Sequence, residues 1–334
     1  MKRIFPVLAV LMMMTSITIA AEDDDMIMGN YHGAFTNTNG ANRYIRAQVI
    51  AQSKTVHRIV VFIGENEASA TRLAFPGKVV EGVALFKKAI TLPALGGKFN
   101  FEAHIENETM TGTLHPQEKR RSKGEPFELK RVFIEPPTRG MVPAEEAVVI
   151  FDGTNISNWE RYPLHWCLNG ENAMKVCGCN FKTIDEYGSG LYHIEFQTPF
   201  MPTERGQGRG NSGVYLLGRY EVQVLDTFGV EPADNFCGGI YSFATPIADA
   251  ILPPLQWQTY DITFTAPTFD DAGAKVSNAH IHVLHNGILI HDNVELDSGT
   301  PGGVSDQEAT KGPLLLQDHG NQVQYRNIWF KPAE

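Results

Sequence analysis

Apolar and polar residues alternate with a period of two along most of this chain, in short runs separated by Gly, Asn, Pro and Asp. That pattern predicts half-buried β-strands, and no segment keeps a helical period over several turns. The most telling run is Arg219-Tyr220-Glu221-Val222-Gln223-Val224-Leu225-Asp226. Extended, it sets Arg219, Glu221 and Gln223 on one face and Val222 and Val224 on the other. Just before it, Asn211-Ser212-Gly213-Val214-Tyr215 reads as a strand that begins where a glycine-rich loop stops. An Arg, a Glu and a Gln in a row do not belong against a core, so their face is either solvent or the floor of a polar cleft. The remaining sequence favours the cleft.

Upstream, Tyr44 to Ala51, Arg58 to Ile63 and Phe99 to Ile105 are alternating or β-branched runs punctuated by Gly and Asn. They predict a small β domain over residues 22–134, with Glu118 to Gly124 as a solvated charged loop. A Pro-rich junction, from Glu135-Pro136-Pro137 to Val142-Pro143, predicts a linker over 135–147. Further strand candidates are Val148 to Phe151, Leu191 to Phe196, Gly213 to Leu217, Glu221 to Leu225, Trp257 to Phe264 and Val323 to Phe330. His285-Asn286-Gly287 joins two apolar runs through the Asn-Gly pair that favours a tight hairpin. So many antiparallel strands in residues 148–334 predict a sandwich or jelly roll, and an all-β chain.

Residues 1–21 stand outside this pattern. Lys2-Arg3, the apolar run from Ile4 to Met14 and the small-residue site Thr18-Ile19-Ala20 are the parts of a secretory signal peptide, so a periplasmic or secreted protein is expected. No later apolar run is long enough to span a membrane. The formal charge of −10 becomes more negative once Lys2 and Arg3 are removed. Such a balance disfavours nucleic acid and anionic membrane and suits neutral small molecules such as sugars. It points to no protein partner. Cys167, Cys177, Cys179 and Cys237 would meet an oxidising compartment, which permits disulfides in any of the pairings open to four cysteines. A thiolate zinc site is the alternative, without the usual paired spacing.

With the elements placed, a known family comes into view. Phe151-Asp152-Gly153, Asn158-Trp159 and Trp166 with Gly170 open the match. Glu195-Phe196, Asn211-Ser212-Gly213, Tyr220 to Asp226 and Gly239-Ile240-Tyr241 continue it. Leu284-His285-Asn286-Gly287, Gly312-Pro313, Leu316 to Gly320 and Tyr325-Arg326-Asn327-Ile328 close it. In this order, over residues 146–332, they resemble the 3-keto-disaccharide hydrolase domain. The N-terminal part and the Pro-Pro junction resemble those of exported bacterial members. Departures stand at Gln256-Trp257-Gln258, where many members have Glu-Trp-Asn, at Leu315 in place of a common glycine, and at Cys237. The resemblance implies a concanavalin-like jelly roll whose concave sheet forms a glycan groove. It also implies an enzyme that cleaves 3-keto-glycosides or 3-keto-disaccharides, by hydrolysis or by elimination followed by hydration.

Elimination needs a base beside carbon 2, an electrophile near the ketone oxygen and an acid for the leaving group. Glu221 is the first candidate for base or acid, with Asp226 beside it. The spacing Glu221-x-Gln223-x-x-Asp226 is similar to the strand of laminarinase-type glycosidases, where a bulge turns two carboxylates to one side. His319 shares a face with Gln317 and suits general-base work near neutral pH. Arg219 and Arg326 suit an enolate oxygen or a carboxylate. Asn211, Gln223 and Gln317 suit sugar hydroxyls, and Trp257 and Tyr241 suit stacking on a ring.

Plainer readings stand beside these: a solvent-facing strand for Glu221, a backbone-bonding loop residue for His319, an ion pair for Arg219 and core packing for the aromatics. The sequence demands no cofactor. A divalent metal is the one candidate, held by His280, His282, His285 and His291 or by Glu221, Asp226 and His319. The loop Gly206-Gln207-Gly208-Arg209-Gly210 reads as a mobile rim that closes on substrate through Arg205 or Arg209. Two other functions stay open: a non-catalytic glycan-binding module, and a conventional glycoside hydrolase using Glu221 and Asp226 on unoxidised glycans.

Overall fold

The computed structural model describes residues 25–36, 42–118, 124–154, 156–160, 167–168 and 172–334. The expected leader, Trp166, Gly170 and most of the Glu118 to Gly124 loop lie outside the described residues. Among the described residues the chain is all-β, interrupted only by three single-turn 3-10 segments, and no helix is long and apolar enough to cross a membrane.

The first eight strands, from Gly29–Thr36 to Glu125–Val132, pair in sequence order, and the last returns to the first with Asn30 opposite Val132. The result is a closed barrel, which leaves no free sheet edge. The Gly97–Glu106 strand shows the cause: Phe99, Phe101, Ala103 and Ile105 are buried while Lys98, Asn100, His104 and Glu106 are exposed. Phe101 lies between Phe75 and Phe127, with ring centroids 5.5 and 5.4 Å away, so the interior is a packed aromatic core rather than a channel.

From Val148 onward the strands build two large antiparallel sheets and a two-stranded ribbon of Thr268–Phe269 and Lys275–Ser277. The larger runs, in order, Cys167–Leu168, Met174–Lys175, Gln324–Pro332, Gly190–Gln197, Gln258–Thr265, Ala279–His285 and Ile288–Leu296, with Val148–Phe151 paired to Gln324–Pro332. The smaller runs Phe181–Tyr187, Gly312–Leu316, Ser212–Leu216 and Tyr220–Val224. Tyr192, Ile194, Phe196 and Tyr260 from one sheet meet Val214, Leu216, Val222 and Val224 from the other in a single core, every one fully buried. At the expected hairpin Asn286 and Gly287 take φ of 53° and 77°, the left-handed geometry of a two-residue turn.

The alternation that buries Val222 and Val224 sends Tyr215, Glu221 and Gln223 to the outer face of the smaller sheet. By the same rule, burying Ile194 and Phe196 sends His193 and Glu195 to the outer face of the larger sheet. Two polar clusters therefore lie on opposite sides of the sandwich. The Pro-rich segment covers the second. Thr138 Oγ1 donates to Asp261 at 2.6 Å, the Gly140 N–H to Glu195 at 2.5 Å, and Asn327 Nδ2 to the Met141 carbonyl at 3.1 Å. The predicted linker is thus strapped to this face.

Candidate active site

The outer face of the smaller sheet carries a cavity of about 190 Å³. Tyr215, Glu221, Gln223 and Gln317 form its floor. Gln207 and Asn211, from the loop before Ser212–Leu216, make one wall; Tyr241 and the Pro301-Gly302 turn make another, and the exposed His319 stands at the mouth.

Glu221 is only 2% exposed. Its Oε2 accepts the Tyr215 hydroxyl at 2.8 Å, and that hydroxyl accepts from Gln317 Nε2 at 3.2 Å. The Glu221 N–H donates to Thr300 Oγ1 at 2.9 Å, which fixes the strand beside the Pro301 turn. Glu221 Oε1 has no protein donor, and neither do Asn211 Oδ1, Gln223 Oε1 or Gln317 Oε1. A buried acceptor left without a donor costs about 1–3 kcal/mol, so a cavity lined by several suits a ligand rich in hydroxyl donors. Burial pushes the Glu221 carboxyl up to about 7, with the Tyr215 hydrogen bond opposing the shift. A carboxyl poised there can take or give a proton near neutral pH.

Removing the Tyr215 donor tests this balance. Tyr215→Phe should raise the Glu221 pKa by a further one to two units, roughly the worth of a hydrogen bond to a charged group. A carbon-13 NMR titration of the Glu221 carboxyl reads it; an unchanged or lower value would contradict the role given to Tyr215.

The cavity brings together six of the residues expected from sequence: Glu221, His319, Asn211, Gln223, Gln317 and Tyr241. Four others lie elsewhere. Asp226 is buried in an ion pair, accepting from Arg209 Nε at 2.7 Å. It follows the strand end at Val224, where alternation no longer governs side-chain direction. Arg219 turns outside the cavity, donating to the Gln307 carbonyl at 2.5 Å and the Leu217 carbonyl at 2.6 Å. Arg326 sits on the far sheet, 2.7 Å from Glu195 and with its guanidinium 4.0 Å over the Trp257 ring, which occupies that face.

The rim arginines also differ from expectation, because Arg205 and Arg209 point to the barrel rather than the cavity. Tyr215, Gln207 and the Pro301-Gly302 turn were missed. For Tyr215 a signal existed, since Asn211, Gly213 and Tyr215 share one parity of the strand.

Among the described residues no three His, Cys, Asp or Glu side chains group as a metal site. His285 is buried against Gln258 at 3.0 Å and His291 against the Gly238 carbonyl at 2.7 Å, while His282 faces Asp292 at 3.3 Å. Asp226, paired with Arg209, does not line the cavity with Glu221 and His319. Cys237 is buried with its sulfur 3.3 Å from the Tyr260 hydroxyl, and burial pushes its thiol up to about 11, which suits packing rather than reactivity.

Residues 146–331, more than half of the chain, match the family model described as a 3-keto-alpha-glucoside-1,2-lyase-like domain. Two similar solved structures come from Parabacteroides distasonis, both provisionally described as glycosyl hydrolases. One is 32% identical, covers 57% of this chain and 84% of its own, and superposes with a TM-score of 0.52. The other is 23% identical, covers 57% of this chain and 100% of its own, and has a TM-score of 0.42. No curated protein matches the chain.

Proposed function

The chain belongs to the 3-keto-alpha-glucoside-1,2-lyase-like domain family, and from that premise we propose that it is an exported enzyme whose cavity cleaves 3-keto-glycosides by removing the proton on carbon 2. The carbohydrate-active class is carried by the family and by the more similar Parabacteroides neighbour. One observation supports the particular reaction above the others. Glu221, buried at the cavity floor with Oε1 free of protein donors, has its carboxyl held near 7.

A 3-keto group acidifies the hydrogen on carbon 2. Glu221 takes that proton, the enolate expels the oxygen substituent from carbon 1, and the departing oxygen takes a proton from His319 at the mouth. Addition of water to the resulting enone would complete net hydrolysis, and stopping before it gives the lyase product. Asn211, Gln223 and Gln317 accept hydrogen bonds from the hydroxyls of the ring. Glu221 is the only carboxylate among the described residues lining the cavity. Conventional glycosidases need two carboxyl groups across the scissile bond, and Asp226 is engaged by Arg209.

The test is aglycone release by the mature protein from a 3-keto-glucoside and from its unoxidised parent, each with and without EDTA. Release from the keto compound alone is expected. Release from the parent would move the assignment to a conventional glycosidase, and binding without release from either would make the protein a glycan-binding module. Loss of activity in EDTA would add a divalent metal to the reaction.

A further inference from the structure

We propose that the N-terminal barrel is a working part of this site, and that Arg209 is the positioning residue through which it holds the cavity wall. The proposal rests on the functional reading above only in treating the cavity as an active site. The loop between the Gly190–Gln197 and Ser212–Leu216 strands carries two wall residues, Gln207 and Asn211. Its arginines turn the other way. Arg209 is 5% exposed; its Nε donates to Asp226 Oδ2 at 2.7 Å, and its Nη1 to the carbonyl of Ala51, the last residue of a barrel strand, at 3.1 Å. Arg205 Nη2 donates to the next barrel carbonyl, that of Gln52, at 2.9 Å.

The backbone follows the same grip. The Asp226 N–H donates to the Arg209 carbonyl at 3.0 Å, tying the loop to the segment that leaves the Glu221 strand. Gly210 then turns the chain at φ 64°, where an added Cβ would stand 3.2 Å from Asp226 Cβ and 3.3 Å from Thr198. The next residue is Asn211. Its Nδ2 bonds the Gln207 carbonyl at 2.8 Å and Gln207 Oε1 at 3.1 Å, leaving Oδ1 without a protein donor. From Ala51 to Asn211 the contacts are continuous.

The barrel side is equally firm. Ile50 and Val60, from barrel strands, belong to the sandwich core. A Cβ on Gly229 would come 2.5 Å from Ile50 Cδ1, so the two units meet at contact distance. Arg72 donates to the Gly229 carbonyl at 2.9 Å and to Glu231 at 3.0 Å. A buried ion pair is weak evidence of net stability, since apolar packing of the same volume often serves as well. The geometry fixed by Arg209 and Asp226 is that of the loop bearing Gln207 and Asn211.

The experiment compares Arg209→Met, Arg209→Lys and Ile50→Ala in the full chain. It reads hydrogen–deuterium exchange over residues 205–211 together with KM and kcat for a 3-keto-glucoside. Arg209→Met and Ile50→Ala should speed exchange over 205–211 while the Ser212–Leu216 and Tyr220–Val224 strands stay protected. KM should rise about tenfold, roughly one lost hydrogen bond to substrate, with kcat nearly unchanged. Arg209→Lys should fall between, since an ammonium keeps the charge but not the fork that reaches two acceptors.

Variants that lose thermal stability yet keep wild-type exchange and KM would overturn the proposal. Should Arg209→Met not fold, Ile50→Ala carries the test, because Ile50 does not line the cavity. If the wild-type protein turns over no keto-glucoside, the functional reading fails but this one is still decided. A loosened 205–211 segment then upholds the coupling, and unchanged exchange overturns it.

Discussion

Glu221→Gln should lower kcat for the keto substrate by about 10²–10⁴-fold, the usual worth of a positioned general base, while the fold and sugar binding persist. The same substitution should stabilise the protein at alkaline pH. Burial raises the Glu221 carboxyl from its ordinary 4.5 to about 7, so the folded state holds this proton more tightly than the unfolded chain does. The favourable contribution is fully present below the unfolded value and is lost as pH rises through 7. At pH 8 the ionised, buried carboxylate costs on the order of 3 kcal/mol, a cost that a glutamine never incurs. Denaturant unfolding of both proteins should therefore show the variant ahead at pH 8 and the two alike at pH 4. For a base, the rising limb of the wild-type kcat/KM profile should lie near pH 7. A wild type that matches the variant in stability at pH 8 would contradict the burial argument.

Gly213→Ala should cost about 10²-fold in kcat, the penalty expected when a catalytic group is displaced by about 1 Å. Gly213 lies in the strand next to Glu221, and a Cβ there would stand 2.3 Å from Glu221 Oε1. The obstructing atom is the tip of a side chain, so relief comes by moving the carboxylate rather than the backbone. Stability should change little, by about 1 kcal/mol or less, and thermal unfolding beside steady-state kinetics separates the two effects. A fully active Gly213→Ala protein would mean that the carboxylate position seen here is not the catalytic one.

The strands were legible because period-two alternation is a local property of the chain. Phe99 to Ile105 and Tyr220 to Val224 follow it residue by residue, and Asn286-Gly287 announced its turn through the backbone geometry those residues favour. The polar floor was legible for the same reason, since Glu221 and Gln223 share a parity and Gln317 and His319 share another. Barrel closure was not, because pairing Gly29–Thr36 with Glu125–Val132 depends on contacts distant in sequence. Alternation also says nothing about which sheet a strand joins. Arg326 and Trp257 therefore looked like cleft residues although they stack on the opposite face. Asp226 failed for a third reason: beyond Val224 the chain leaves the strand, and Arg209, far from being a mobile rim residue, determines where that carboxylate goes.

Removal of the proton on carbon 2 of a 3-keto sugar by Glu221 is the step that distinguishes this reaction from the others. The measurement that bears on it most directly uses a 3-keto-glucoside deuterated at carbon 2, followed through aglycone release by mass spectrometry and rate. A slower reaction with the label and loss of deuterium to solvent with each turnover are expected, both slowed about 10²–10⁴-fold in Glu221→Gln. Aglycone release with the deuterium retained on carbon 2 would contradict that step.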